Sequence, residues 1–283
     1  MPKPEIKISK YAGACYGVKR ALDMVEQALR EHKSVETLGE VIHNPVVTEH
    51  FERLGAKTIQ SASDANGCVV LRSHGATPDE IQTIKERAFL VIDATCPHVK
   101  RAQKAAVKLA KNNDMVIIVG KEGHPEVDSL VSFARLENTS VICLDNIDEI
   151  PSTLPKKVGV LSQTTLQART FKQIVDKIEA RCKCVDVVNT ICSATEKRQA
   201  EVVKLAKESD VMIILGGKNS SNTTKLYELS KENCDCVYHI ERAAELDDCF
   251  SDLRKARTIG ISAGASTPSY LIEELHAYLS LNL

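Results

Sequence analysis

The sequence predicts an α/β fold made of three copies of one module related by a pseudo-threefold axis, and two observations carry that prediction. A cysteine-headed phrase occurs three times: ACYGVKRAL from Ala14, TCPHVKRAQ from Thr95 and ICSATEKRQ from Ile191. Counted from Cys15, Cys96 and Cys192, the residues 28 positions on are His43, His124 and Ser220, each just beyond an apolar run that reads as a strand. Self-similarity in a fixed register is the mark of a repeated supersecondary unit, so three modules are expected rather than one long sheet.

The elements follow in order. EIKISKYAGAC reads as a strand delivering Cys15, FLVIDATC as one delivering Cys96 and CVDVVNTIC as one delivering Cys192. A helix rich in Ala, Lys, Glu and Gln follows each cysteine. Next comes a strand ending in a first polar loop: VETLGEVIHNP with His43, MVIIVGKEGHPE with His124 and Glu126, and VMIILGGKNSSN with Ser220, Ser221 and Asn222. A helix and a short strand lead to a further strand and a second loop: CVVLRSHGATP with His74, VGVLSQTTLQ with Thr164 and Thr165, and IGISAGASTP with Ser266. Pro, Ser, Thr or Asn at most of these turns marks a helix start, which puts the loops at strand C-terminal ends, the ligand-binding edge of open α/β layers. The modules are expected at 14–96, 97–191 and 192–283. The third lacks a strand after PSYLIEELHAYLS, so the strand within 1–13 is expected to complete it.

A chain of 283 residues with 43% apolar content can bury a substantial core. Its 37 basic and 38 acidic residues are interspersed, giving a net charge of −1, which argues against nucleic acid as a partner. No signal-peptide core is seen at the N-terminus, and the longest apolar runs, MVIIV and VMIIL, are too short to span a bilayer. A cytoplasmic protein with no membrane partner is expected, and its ten cysteines then point to metal or redox chemistry rather than to disulfides.

Three cysteines at strand-to-helix junctions sit where helix dipoles favour the thiolate, and three soft ligands suit an iron–sulfur cluster or zinc. A four-iron cluster held by three cysteines leaves one iron open for reaction. Any one of these cysteines alone reads as a small buried apolar residue; the shared register is what sets the three apart. Cys182/Cys184 and Cys234/Cys236 have C-x-C spacing, half a metal site with no accompanying ligands. The loop residues are hydroxyls, amides and imidazoles with one carboxylate, Glu126, a set that suits a phosphate or diphosphate. The Lys19/Arg20, Lys100/Arg101 and Lys197/Arg198 pairs oppose the helix dipole and are expected to pair with acidic groups of neighbouring modules. Neither a dinucleotide fingerprint nor a P-loop is present, so electrons must come from another protein. Two rivals remain on this reading: a non-redox hydro-lyase using an open cluster, and a binding protein whose cysteines hold structural zinc.

The motifs AGACYGVKRAL, GEVIHNPVV, RSHGAT, DATCPHV, GHPEV, SQTTL, ICSAT, NSSN and SAGAST resemble those of the 4-hydroxy-3-methylbut-2-enyl diphosphate reductases of the non-mevalonate isoprenoid pathway, over about residues 12–270. The resemblance implies a trefoil-like arrangement of three modules around one [4Fe-4S] cluster per subunit, held by Cys15, Cys96 and Cys192. It further implies diphosphate contacts from His43, His74, His124, Ser220, Ser221, Asn222 and Ser266, with Thr164 near the substrate hydroxyl and Glu126 as proton donor. The reaction implied is reductive dehydroxylation to isopentenyl and dimethylallyl diphosphate, with the hydroxyl at the open iron and a ferredoxin or flavodoxin as electron donor. Tyr16 after the first cysteine and a short C-terminus depart from the family pattern, and bear on packing near Cys15 and on module closure.

Overall fold

A computed structural model describes residues 3–283; the first two residues of the expected N-terminal strand range lie outside the described residues. The chain opens with β1 (Glu5–Ile8) and α1 (Tyr16–Glu31), and continues β2 (Val35–Leu38), α2 (Pro45–Arg53), β3 (Ala56–Ile59), β4 (Cys68–Leu71), α3 (Pro78–Arg87) and β5 (Leu90–Asp93). The second passage runs α4 (Pro97–Asn112), β6 (Met115–Val119), α5 (Pro125–Arg135), β7 (Val141–Leu144), β8 (Lys157–Ser162), α6 (Ala168–Glu179) and β9 (Cys184–Val188). The third runs α7 (Ser193–Lys207), β10 (Val211–Leu215), α8 (Ser221–Lys231), β11 (Val237–Ile240), α9 (Phe250–Leu253), β12 (Thr258–Ala263) and α10 (Ser269–Asn282).

The strands form three four-stranded sheets, ordered β3-β2-β4-β5, β7-β6-β8-β9 and β11-β10-β12-β1. Every pairing is parallel, and the order within each sheet is second, first, third, fourth. In the third sheet the fourth place is taken by β1, which pairs with β12 from Glu5↔Thr258 to Ile8↔Ile261. Strands covered on both faces need apolar side chains on both, and β6 and β10 show how the alternation serves that. Ile117 and Val119 enter the core shared with α6, while Val116 and Ile118 enter the one shared with α4 and α5. Likewise Val211, Ile213 and Leu215 pack towards α10, and Met212 and Ile214 towards α7 and α8.

An acidic residue ties the first strand of each sheet to the chain entering the third. Glu36 accepts from the Asn66 and Gly67 amides at 2.9 and 3.1 Å, Asp114 from Lys157 at 3.0 Å, and Asp210 from Arg257 and Thr258 at 2.8 and 3.0 Å. Short 3₁₀ turns at Ala62–Asp64, Ile147–Glu149 and Ala243–Cys249 recur after the second strand of each sheet; no periodicity in those segments foreshadows them. By its internal contacts the chain falls into two compact units. One comprises the N-terminal segment through Lys19, Ile42–Arg53 and Ser193–Leu283; the other comprises Arg20–Val41 and Leu54–Cys192. The segment carrying α2 thus belongs with the third sheet, and its Val46 lies in the core formed with β10 and β12. Among the described residues no helix is long and apolar enough to cross a membrane.

Ile213 is fully buried at the centre of the third sheet, whereas Leu54 is exposed. Ile213→Ala is expected to lower unfolding stability by about 2–5 kcal/mol and Leu54→Ala by less than about 0.5 kcal/mol, measured as shifts of the urea midpoint of the metal-free protein.

Candidate active site

Each of the three cysteines is held by the same backbone bond. The Cys15 amide donates to Ala265 O at 3.4 Å, that of Cys96 to Ser73 O at 2.9 Å and that of Cys192 to Thr164 O at 2.9 Å. In every case the acceptor is the second residue of a turn following the third strand, closed by Gly75→Arg72, Leu166→Gln163 or Thr267→Gly264 at 3.0–3.1 Å. The cysteine is also the last residue before a helix of 15 or 16 residues. Each cysteine therefore stands at the amide end of a helix.

All ten cysteines are reduced thiols. Cys15, Cys96 and Cys192 are partly exposed, as are Cys143, Cys236 and Cys249; Cys184 is exposed, and Cys68, Cys182 and Cys234 are buried. Cys182 and Cys234 turn their sulfurs onto backbone carbonyls, including those of Cys184 and Cys236, which accounts for the two C-x-C pairs as strand-entry packing. Burial raises the Cys68 thiol pKa, and burial together with nearby Glu122 and Asp145 pushes Cys143 up to about 12. Those groups stay protonated, and a metal ligand must not. Three accessible thiols repeated in one backbone setting are a donor set that fits an iron–sulfur cluster. Among the described residues no three His, Cys, Asp or Glu side chains gather closely enough to hold a single metal ion.

One unit carries His74, His124, Glu126, Thr164 and Thr165. Glu126 is the second residue of α5 and only 2% exposed. Its carboxylate accepts twice from one residue, Oε1 from the Thr164 amide at 2.7 Å and Oε2 from Thr164 Oγ1 at 2.8 Å. Burial raises its pKa to about 7 against the lowering effect of those two bonds. His124 caps α5 by accepting from the Glu126 amide at Nδ1, 3.1 Å, so the neutral ring carries its proton on Nε2. The His74 ring meets the His124 ring edge-on at 5.5 Å between centroids.

The other unit carries His43, Ser220, Ser221, Asn222 and Ser266. Ser220 caps α8, and Ser221 and Asn222 are that helix's first two residues. Asn222 is 3% exposed, yet neither amide atom has a protein hydrogen-bond partner. Its counterpart in α5 is Glu126, whose Thr164 partner is matched here by Ala265, which has no hydroxyl. Asn44 Nδ2 donates to Ser266 O at 2.8 Å while its Oδ1 accepts from the first amides of α2. The loop is tight there, since a Cβ on Gly217 would lie 2.5 Å from His43 O.

Two corrections to the sequence reading follow. The residues before the second helix of each passage are Asn44, His124 and Ser220, so the first loop is one residue longer than the 28-residue count assumed, and His43 stands one place ahead of its supposed equivalents. Asn44 was missed, although Asn before Pro is a helix-start signal. The Lys-Arg pairs also behave otherwise than expected. Lys100 does bind Asp93, at 2.6 Å, but Arg20 and Arg198 reach backbone carbonyls, partners the sequence reading did not foresee.

Comparison with known proteins accords with this arrangement. The family model described as LytB protein matches residues 6–280. The 4-hydroxy-3-methylbut-2-enyl diphosphate reductase of Aquifex aeolicus (strain VF5) is 42% identical over 96% of this chain and 94% of its own length. That of Geobacter sulfurreducens is 40% identical over 96% and 95%. A solved structure of (E)-4-hydroxy-3-methyl-but-2-enyl diphosphate reductase, the terminal enzyme of the non-mevalonate pathway, is 40% identical with a TM-score of 0.72, covering 98% of this chain and 99% of that one. The Plasmodium falciparum E-1-hydroxy-2-methyl-but-2-enyl-4-diphosphate reductase superposes with a TM-score of 0.87 at 26% identity, over 99% and 88%. A family match over nearly the whole sequence, with relatives of this identity and coverage, means that the chain belongs to the LytB family of 4-hydroxy-3-methylbut-2-enyl diphosphate reductases.

Proposed function

We propose that this enzyme reduces (E)-4-hydroxy-3-methylbut-2-enyl diphosphate to isopentenyl and dimethylallyl diphosphate, and that Glu126 supplies the proton for loss of the hydroxyl as water. Besides family membership, the observation that carries the assignment of Glu126 is a carboxyl 2% exposed whose pKa is raised to about 7. A group that is part acid and part base near neutrality is matched to proton transfer, and hydroxide is too poor a leaving group to depart without one.

Cys15, Cys96 and Cys192 are the proposed ligands of a [4Fe-4S] cluster. When bound, it supplies electrons and an iron without a protein ligand to act as Lewis acid. The chain's own residues then have three tasks. Glu126 holds the proton, and Thr164, bonded to it by both amide and hydroxyl, fixes the carboxyl plane and places a hydroxyl beside the substrate's own. His43, His74, His124, Ser220, Ser221, Asn222 and Ser266 bind the diphosphate. The unsatisfied Asn222 amide supports that role, because a buried amide without a partner is costly until a ligand satisfies it. A one-electron carrier protein such as ferredoxin or flavodoxin delivers the electrons, in line with the lack of a dinucleotide motif.

Five outcomes test this. Cys15→Ser, Cys96→Ser or Cys192→Ser should each remove most iron and sulfide from anaerobically purified protein, whereas Cys182→Ser or Cys234→Ser should leave both unchanged by metal analysis. Glu126→Gln should keep the cluster and near-normal substrate affinity while turnover falls at least about a hundredfold in a saturating-reductant assay. Turnover of the native enzyme should decline as pH rises through about 7, because the proton-bearing form of Glu126 is then lost. Thr164→Val removes a bond that favours the carboxylate, so in that variant the alkaline limb should move to higher pH. Asn222→Ala should weaken substrate binding roughly tenfold by calorimetry, the scale of one lost hydrogen bond, with the iron content intact.

A further inference from the structure

The backbone segments that lead into two of the cysteines are each gripped by an arginine from elsewhere in the chain. Arg20 lies on α1, the helix that begins beside Cys15. Its two terminal nitrogens donate to Asp93 O and Thr95 O, both at 3.3 Å, and Thr95 is the residue immediately before Cys96. Arg198 lies on α7, the helix that begins beside Cys192. It donates to Tyr11 O at 2.9 Å and Gly13 O at 2.7 Å, ahead of Cys15, and anchors itself to Ala194 O at 3.1 Å. In both cases one guanidinium spans two carbonyls two residues apart in the chain between a strand and its cysteine, a geometry that suits a planar fork and that a lysine cannot reproduce.

The segment before Cys192 is secured differently. Ser162 and Thr190 exchange hydrogen bonds there, Thr190 Oγ1 taking the Ser162 amide at 3.0 Å and Ser162 Oγ the Thr190 amide at 3.3 Å. Arg101, the residue that sequence register would put in the arginine role, is exposed.

We infer that Arg20 and Arg198 are positioning residues for the cluster-binding cysteines, Arg20 for Cys96 and Arg198 for Cys15. The inference rests on the proposed ligand set. Each cysteine is restrained on one side by its amide bond to a turn carbonyl and on the other by its helix. The arginine removes the remaining freedom, that of the strand exit that feeds it, so the thiol is set before any metal arrives. Arg198 is only 4% exposed, and a guanidinium buried against the chain that leads into Cys15 is hard to explain as general surface chemistry.

The test uses anaerobically purified holoenzyme challenged with an iron chelator and iodoacetamide together. Iron release is followed optically, and alkylation of each cysteine is followed by peptide mass spectrometry. With charge-assisted bonds lost, Arg20→Met should release iron about tenfold faster than the native protein, and Cys96 should be alkylated ahead of Cys15 and Cys192. Arg198→Met should put Cys15 first, with Arg198→Lys standing in if the methionine variant does not fold. Arg20→Lys should fall between Arg20→Met and the native enzyme, and Arg30→Met, an exposed change on the same helix, should release iron at the native rate. Native release rates in Arg20→Met and in the Arg198 variant would overturn the inference. So would faster release with all three cysteines alkylated equally and the melting midpoint lowered, since that is general destabilisation. A native protein without iron and sulfide would overturn the ligand assignment and this inference together, whereas a native cluster with equally retentive variants would overturn the arginine roles alone.

Discussion

The bond from each cysteine amide to the second carbonyl of the turn after the neighbouring strand is the constraint on which the rest of the site depends. It locks a cysteine to a polar loop at fixed register, so thiols and loop side chains cannot drift apart independently. Parallel strands bring that register within reach: β4 and β5, β8 and β9, and β12 and β1 end side by side, and the chain leaving each pair meets its neighbour two to seven residues beyond the ladder. A thiol placed by backbone geometry spends little conformational freedom when it takes a metal, which is the advantage of building a ligand at a strand end rather than on a long loop.

On this repeated frame the side chains have diverged, and the divergence is where the chemistry resides. The second residue of the helix after the first loop is Val46, Glu126 or Asn222, and the second residue of the other turn is Ser73, Thr164 or Ala265. The middle combination yields a carboxyl bonded twice by threonine and titrating near neutrality. In the third passage the helix residue is an amide and its turn counterpart has no hydroxyl, leaving two buried polar atoms without a protein partner. In the first, α2 belongs with the third sheet, and Val46 serves its core. One backbone design thus carries a buried carboxyl, a buried amide without a protein partner and a packing residue.

Much of this was legible beforehand because the signal was threefold. Three cysteines, three following helices and six polar loops were readable from spacing alone, since a register repeated three times outweighs the ambiguity of any single segment. What escaped had no repeated signal. The extra residue before Asn44 shifts one loop against its counterparts, and a count from the cysteine cannot detect an insertion. The arginines were noticed, but their partners are backbone carbonyls, which every residue has and no sequence advertises. The raised pKa of Glu126 likewise depends on its burial, and the letters show only that an acidic residue follows His-Pro.

The edge place of β1 in the third sheet has a consequence for how the chain comes to be folded. Glu5 is among the first described residues to leave the ribosome, and Thr258, its ladder neighbour, is among the last. The first two sheets draw their strands from contiguous stretches and can form while synthesis continues, but the third must wait until β12 has been made and then close a loop of some 250 residues. During that interval the N-terminal strand and Cys15 are in the cell without their sheet. The unit that carries Cys15 is therefore the later of the two to mature.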